Sequence, residues 1–375
     1  MALRGEPLNY HAGMQERLLA EQLIGYDTSN PEGIRNCAGF VKGWLEARDI
    51  PTKHLLVREL PIIVAEVGPS EGPVVVVHGH IDVVPGQPGQ FEPITDGDRL
   101  IGRGAYDMKG AAAAMMLALA DLRDQDDVRV RLAFVPDEET EEEVDRGSDV
   151  LVDAGYGGDF AITGEPTEML VGVAAKGVLA VRIEVAGKAA HGSTPWEGDN
   201  AITKAFSVFR AIESLPFSRQ SSELFDRPSI NLGRIMGGDA LNKVPDTCVI
   251  DVDIRYLPEQ DQDSILEQIR AIPDTEVTTT FRRPPVEVDP HSPMVRALCE
   301  AARPHHPDQV TSIGRDGASD AVSFIRVGVP AVEFGPIGGG HHGPGEWVSL
   351  ASLASYRRTL GDFARSVPGV LGVAR

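Results

Sequence analysis

Apolar residues recur at helical spacing over positions 13–25 and again over 34–48, with Asn30-Pro31 breaking the chain between the two stretches. Short β-rich runs follow at 54–57, 62–67 and 74–77. The last is an unbroken valine run, the pattern of a strand buried on both faces of a largely parallel sheet. It stops at His78-Gly79-His80-Ile81-Asp82, ahead of the turn residues Pro85-Gly86. After Asp107-Met108-Lys109-Gly110 the pattern predicts a helix rich in alanine and methionine. Two more strands are predicted, over 128–135 ending at Pro136-Asp137-Glu138-Glu139, and over 159–163 ending at Gly164-Glu165-Pro166-Thr167. Strands alternating with helices indicate an α/β domain.

The grammar changes at about Lys176. Residues 177–186 alternate as a strand, 200–215 read as a helix opened by Asp199, and 230–236 and 248–256 read as two further strands. A helix at 260–271 and a strand at 276–282 complete a βαββαβ order, which predicts a small ferredoxin-like α+β domain inserted into the first one. The prolines at 284, 285 and 290 mark the return, and α/β character resumes with helices at 294–302 and 318–325 and a strand at 330–334. The expected organisation is a first part of an α/β domain over 1–175, an insertion over 176–288, and the second part over 289–375.

Length and composition fit this picture. A chain of 375 residues accommodates two domains, and 42% hydrophobic with 24% charged residues is an ordinary globular balance. The formal net charge of -21 argues against nucleic acid or an anionic membrane as partner, since either would need a basic face. Cys37, Cys248 and Cys299 form neither a CxxC pair nor a disulfide framework, which suits a reducing compartment. The N-terminal residues lack an apolar signal core, and the alanine-rich run from Gly110 to Ala120 is too short to span a bilayer, so a soluble cytoplasmic protein is expected.

The chemistry lies in where the polar residues fall. His80, Asp82, Glu138, Glu139 and Glu165 all come just past the C-terminal ends of predicted parallel strands, the edge where ligands bind in open α/β sheets. A single loop carboxylate is usually a solvated charge, and a single histidine usually packs or caps. Several gathered at one sheet edge without a cation would repel and have to protonate. A divalent metal removes that conflict, and mixed imidazole and carboxylate ligands suit zinc, cobalt or manganese.

Six segments, HGHIDVVPG (78–86), GRGAYDMKG (102–110), PDEE (136–139), GEPT (164–167), AHGSTP (190–195) and HHGPGE (341–346), occur in an order that resembles the zinc-dependent aminoacylase and carboxypeptidase family. That family includes acetylornithine deacetylase, succinyl-diaminopimelate desuccinylase and glutamate carboxypeptidase. The resemblance spans nearly the whole chain and implies a zinc-exopeptidase-like fold, in which a mixed, largely parallel sheet is flanked by helices and the inserted domain mediates homodimerisation. It implies two divalent ions held by His80, Asp107, Glu139, Glu165 and His342, with Asp107 bridging, Asp82 orienting His80 and Glu138 as general base. At HHGPGE the family spacing of histidine, three residues, glutamate selects His342, while His341 stands one residue out of register. His78 falls where the family varies and reads as structural. His191 resembles the histidine that reaches from the inserted domain into the partner subunit's site. Asn242 and Arg255 match substrate-holding positions; Arg255 suits a substrate carboxylate, or equally a strand-edge salt bridge. Asp320, in Gly317-Ala318-Ser319-Asp320, falls in a pocket-lining loop of the family or serves as a helix N-terminal charge.

The reaction so implied is hydrolysis of an amide in an N-acyl amino acid. A water bridging two ions about 3.5–4 Å apart becomes a hydroxide nucleophile, and Glu138 relays its proton to the departing amine. A dipeptidase or carboxypeptidase acting on short peptides shares every one of these parts. A non-catalytic metal-binding relative would lack the base or several ligands, which are all present here.

Overall fold

The computed structural model describes residues 13–140, 146–306 and 311–372. Contacts within the chain divide it into two compact units: 13–173, 288–313 and 320–372 form the first, and 174–287 with 314–319 the second.

The first unit opens with α1 (Met14–Ile24) and α2 (Pro31–Glu46). Asn30-Pro31 does more than separate them. The Asn30 side chain accepts a hydrogen bond from the Gly33 N–H and Pro31 occupies the first helical position, so α2 starts three residues ahead of its apolar periodicity. β1 (Thr52–Val57), β2 (Leu60–Val67) and β3 (Val74–His80) follow. β4 (Ile94–Asp96) and β5 (Arg99–Ile101) lead to a tight helical turn at Ala105–Lys109 and to α3 (Gly110–Asp121). β6 (Arg129–Val135), α4 (Gly147–Asp153), β7 (Phe160–Thr163) and β8 (Val171–Ala175) complete the first passage.

The second unit runs through β9 (Gly177–Ala186), α5 (Ala201–Ile212), β10 (Ser229–Gly237), β11 (Thr247–Tyr256), α6 (Gln262–Arg270), β12 (Thr275–Arg283) and β13 (Val286–Glu287). Its four long strands form an antiparallel sheet in the order β10-β11-β9-β12, the ferredoxin-like arrangement. β11 alternates buried and partly exposed residues along its length, so that Ile250, Val252 and Ile254 meet Ala205 and Ile212 of α5 and Ile265 and Ile269 of α6 in one core. The cap of α5 is Asn200, whose side chain accepts from the Ile202 and Thr203 N–H groups, and not Asp199, which pairs with Lys204.

The chain then returns through α7 (Pro293–Ala302), β14 (Ser312–Arg315), α8 (Ala321–Arg326), β15 (Ala331–Glu333), β16 (Gly338–Gly339), β17 (Trp347–Ser349) and α9 (Leu350–Val370). The large sheet runs β1-β2-β6-β3-β7-β15-β8, and its central strands β6, β3, β7 and β15 are parallel. The result is a mixed α/β fold with a largely parallel sheet flanked by helices. α3 is buried from Gly110 to Leu119, as a helix that is apolar all round must be. α9 packs on it through Leu353, Tyr356, Leu360, Phe363 and Val367. Phe363 is fully buried, and truncating it to alanine removes about 3–5 kcal/mol of stability. A second small sheet, β16-β17-β5-β4, joins the turn after β16 to the loop after β5. Among the described residues no helix is long and apolar enough to cross a membrane.

Candidate metal centre

Three adjacent parallel strands deliver the first group of side chains. His80 is the last residue of β3; Glu138 and Glu139 follow β6, and Glu165 follows β7, the two strands on either side. The ladder continues past the strand ends, Ile81 N–H donating to Val135 and Gly164 N–H to His78, which fixes the approach of the loops. A Cβ on Gly164 would meet the terminal methyls of Met115 and Met108, so a larger residue there would require both methionines to move. Asp107 arrives from the turn after β5, and His341 and His342 from the β16–β17 connection. His342 has φ of 58°, a left-handed conformation uncommon outside glycine and frequent at functional positions.

The polar atoms converge. His80 Nε2 lies 3.2 Å from Asp107 Oδ1 and 3.8 Å from Glu165 Oε1. The other Asp107 oxygen meets Nε2 of both His341 (2.7 Å) and His342 (2.9 Å), and His342 Nε2 also lies 3.1 Å from Glu139 Oε1. Asp107 thus faces His80 with one oxygen and the paired histidines with the other. Three overlapping sets of atoms come within metal-sharing reach: His80–Asp107–Glu165, His80–Glu138–Glu139, and Asp107–His341–His342.

Asp82 meets both His80 and the glutamate pair. The His80 Nδ1–H donates to the Asp82 main-chain oxygen at 2.9 Å, which turns Nε2 toward Asp107 and Glu165. The Asp82 carboxylate stands 3.6 Å from the same Nδ1, and its oxygens also accept the N–H groups of Glu138 (3.2 Å) and Glu139 (2.9 Å). Asp82 therefore holds the histidine with its main-chain oxygen and its carboxylate, and the glutamate pair through their backbone.

Electrostatics supply the test of whether a cation fits. Burial, then the charge of Asp320, pushes the Glu138 carboxyl up to about 8. Burial raises Glu139, and raises Glu165 well above the usual carboxylate range with help from the Asp107 charge. Hydrogen bonds to Asp107 and Glu139 push His342 up to about 10. His80 is held well above its ordinary value, since its bonds to Asp107 and Asp82 outweigh burial. Burial also opposes charge on Asp107, but its three imidazole partners overcome that and keep it well below the usual range. Protons thus supply the positive charge this donor set demands, and divalent ions fit where those protons sit.

Residues not singled out in the sequence complete the surroundings. Glu346, Arg103 and Lys109 are buried beneath the Asp107 loop, Lys109 donating to the Tyr26 main-chain oxygen at 2.7 Å. His78 is buried with its ring nitrogens 3.3 Å from Thr163 Oγ1 and 3.2 Å from Ser148 Oγ, and Ser148 donates to Asp320 at 2.5 Å. Asp320 is thus a buried neighbour of the cluster, placed at the start of α8. A buried acid just past a Gly-Ala-Ser segment is a signal that sequence alone does not distinguish from a helix cap.

The remaining expected site residues lie in the second unit. His191 is exposed, and its Nδ1 accepts the Ser193 N–H at 3.2 Å beside the Ser193 hydroxyl at 2.7 Å. That contact puts the ring proton of the neutral form on Nε2, facing outward as a donor. Asn242 is exposed next to it, its carbonyl accepting the Gly192 N–H at 2.7 Å. Arg255, on the interior strand β11, pairs through Nε with Asp253 at 2.9 Å, with its terminal nitrogens outside that bond.

Comparison with known proteins gives the family and the fold. The profile of peptidase family M20/M25/M40 matches residues 76–366. A Staphylococcus epidermidis protein named "Probable succinyl-diaminopimelate desuccinylase" is 29% identical, over 91% of this chain and 92% of its own. Among solved structures, the metallo-carboxypeptidase Sso-CP2 of Sulfolobus solfataricus superposes with a TM-score of 0.78 at 19% identity, covering 94% of this chain and 99% of its own. The YXEP protein of Bacillus subtilis, a dinuclear metal-binding peptidase, gives a TM-score of 0.70 at 18% identity, covering 96% of this chain and 99% of its own.

Proposed function

This chain belongs to peptidase family M20/M25/M40 and is a metal-dependent hydrolase, and we propose that it cleaves the amide bond of an N-acyl amino acid, releasing the acyl group. The observation that carries the reading is Asp107 turned with one oxygen to His80 and the other to the paired histidines, with Glu138 in reach of His80. His80, Asp107 and Glu165 hold one divalent ion, and Asp107, Glu139 and His342 a second. His342 is preferred over His341 because its Nε2 touches both Asp107 and Glu139. When bound, such ions supply Lewis acidity, polarising an amide carbonyl and making water a stronger acid. Zinc suits this donor set best, with cobalt or manganese able to replace it.

Glu138 supplies the proton chemistry. Its carboxylate takes the proton of the attacking water and returns it to the departing amine nitrogen. Asp82 fixes the backbone that carries it, and Arg146 grips the same loop through the Glu138 carbonyl at 2.8 Å. His191 Nε2–H serves as donor to the developing oxyanion, supplied across a homodimer, while Arg255 and Asn242 hold the substrate carboxylate and amide. Dimerisation uses the second unit: β10 is an edge strand, and Ile235, Met236 and Phe206 of α5 are exposed apolar residues.

The substrate class rests on the desuccinylase relative, which is similar over nearly the full chain. A dipeptidase or carboxypeptidase would use the same centre, and a shared fold does not choose between them. Protein stripped with chelator and reloaded with zinc should hydrolyse N-succinyl or N-acetyl amino acids from a panel that also holds dipeptides. Hydrolysis that persists without metal would overturn the centre; hydrolysis of dipeptides alone would transfer the reading to a peptidase.

A further inference from the structure

Glu346 is almost fully buried directly below the candidate bridging aspartate, yet it lies in none of the metal-sharing sets. Its position follows from strand register. Trp347 of β17 pairs with Ile101 of β5, so the residue before Trp347 lies against Gly102, whose N–H donates to the Glu346 main-chain oxygen at 3.0 Å. From there the side chain runs under the loop that ends at Asp107. Oε1 accepts the Tyr106 N–H at 2.9 Å and the Asp107 N–H at 3.0 Å; Oε2 accepts the Gly104 N–H at 2.9 Å and Arg103 Nη1 at 2.7 Å. The Arg103 guanidinium then reaches with Nη2 to the His342 main-chain oxygen at 3.0 Å. One carboxylate and one guanidinium therefore tie the Asp107 loop to the turn that carries His342.

Burying this pair carries a cost beside the hydrogen bonds it makes. Both charges are buried, which carries a desolvation penalty, and Arg103 Nε has no hydrogen-bond partner among the described residues. An apolar pair of the same volume would avoid both losses but would leave the Gly104, Tyr106 and Asp107 N–H groups and the His342 carbonyl without these partners. What the pair does provide is geometry. A carboxylate receiving three main-chain N–H groups fixes the peptide planes on either side of Tyr106, and with them the direction in which the Asp107 side chain leaves the backbone. Gly104, at φ of 78°, gives the loop the left-handed turn that aims its N–H at the carboxylate. The third peptide in that set belongs to Asp107 itself.

We infer that Glu346 is a positioning residue which, with Arg103, sets the orientation of Asp107 and the placement of His342, and so tunes the affinity of the centre for divalent ions. The inference rests on the reading of Asp107 and His342 as metal ligands. It concerns the apo protein's readiness to bind metal, ahead of any turnover.

The test measures zinc binding to chelator-stripped protein by competition with a chromophoric chelator, together with the visible absorption spectrum after cobalt loading. Glu346→Ala should weaken zinc binding by about 10–100-fold, the range for removal of outer partners of metal ligands, and alter the cobalt spectrum. Glu346→Gln keeps an oxygen for the Tyr106 and Asp107 N–H groups but turns an amide NH2 toward Gly104 and Arg103, so its loss should be intermediate. Arg103→Met leaves the three main-chain bonds and removes the grip on His342; it should weaken binding less than Glu346→Ala, and it carries the test if the alanine variant fails to fold. Arg357→Met breaks a partly exposed pairing of the same unit, with Glu16 and with Asp121 at the C-terminal end of α3. It should lower the melting temperature while leaving zinc affinity and the cobalt spectrum unchanged. Wild-type zinc affinity in both Glu346→Ala and Arg103→Met, or equal losses in those variants and in Arg357→Met, would overturn the positioning role. A wild-type protein that bound no divalent ion would instead remove the centre itself, and this inference with it.

Discussion

Replacing Glu138 with glutamine separates the proton chemistry of the site from its shape. In the metal-free protein burial and the Asp320 charge push the Glu138 carboxyl up from an ordinary value of 4.5 to about 8. Its folded value is therefore raised, so the sign runs one way. Below about pH 4.5 the group is neutral in both folded and unfolded chains, and its contribution to stability is fully present. Between about 4.5 and 8 the unfolded chain ionises while the folded one keeps its proton, and stability is lost progressively; above 8 the loss is complete. At about 1.4 kcal/mol per unit the full shift corresponds to about 5 kcal/mol, and the partial exposure of the side chain reduces this to about 1–3 kcal/mol. Glutamine has no charge to bury. Chelator-stripped Glu138→Gln should therefore match the wild type in melting temperature near pH 5 and exceed it increasingly up to pH 9, by thermal denaturation followed with circular dichroism. Zinc should shrink the difference, because cations beside the group favour its ionised form. Turnover of the zinc-loaded variant should fall about 10²–10⁴-fold, the usual contribution of a general base. Melting curves that coincide at every pH, or turnover that survives the substitution, would refute this account of Glu138.

Three further outcomes follow from the same geometry. His342 is pushed up to about 10 and so is protonated in the metal-free protein at pH 7; metal must displace that proton, and titration calorimetry in buffers of different ionisation enthalpy should show at least about one proton released per ion, with affinity rising with pH. Zero release would contradict the donor assignment. His342→Ala should leave one tightly bound zinc per chain by elemental analysis and His341→Ala two, the reverse result transferring the ligand role to His341. Met236→Lys on the edge strand β10 should convert a dimer to monomers in light scattering and lower turnover with His191 displaced, whereas stripped stability of the first unit should change by less than about 0.5 kcal/mol.

The elements legible in the sequence are those with one strong period. The valine run gives β3, the 177–186 alternation gives β9, and the alanine-methionine run gives α3, buried all round. α9 was missed although its apolar residues Leu353, Tyr356, Leu360, Phe363 and Val367 keep helical spacing, because Ala351, Ala354, Gly361 and Ala364 dilute the contrast between faces. β4, β5, β16 and β17 are two or three residues long, too short for any period, and pair through the backbone. The small sheet they form holds the Asp107 loop and the His341–His342 turn in register, a long-range relation that no local pattern encodes.

That limit explains how the candidate site divides into legible and hidden parts. His80, Glu138, Glu139 and Glu165 could be grouped from sequence because each follows a strand whose pattern is clear, and adjacent parallel strands end on one edge. Asp107 and His342 could be grouped with them only through family resemblance, since the elements that bring them in are invisible to periodicity. The same blindness hid the roles of Arg103 and of Glu346, the glutamate of the HHGPGE spacing, whose partners are main-chain N–H and carbonyl groups at positions 104, 106, 107 and 342. A side chain that recognises backbone leaves no partner residue in the sequence to be noticed. It also imposes no identity on the residues it holds, so Gly104 and Tyr106 are bound through groups that any non-proline residue would offer. The constraint falls on the carboxylate and on the left-handed turn at Gly104, and the motif that contains the glutamate does not say what its side chain holds.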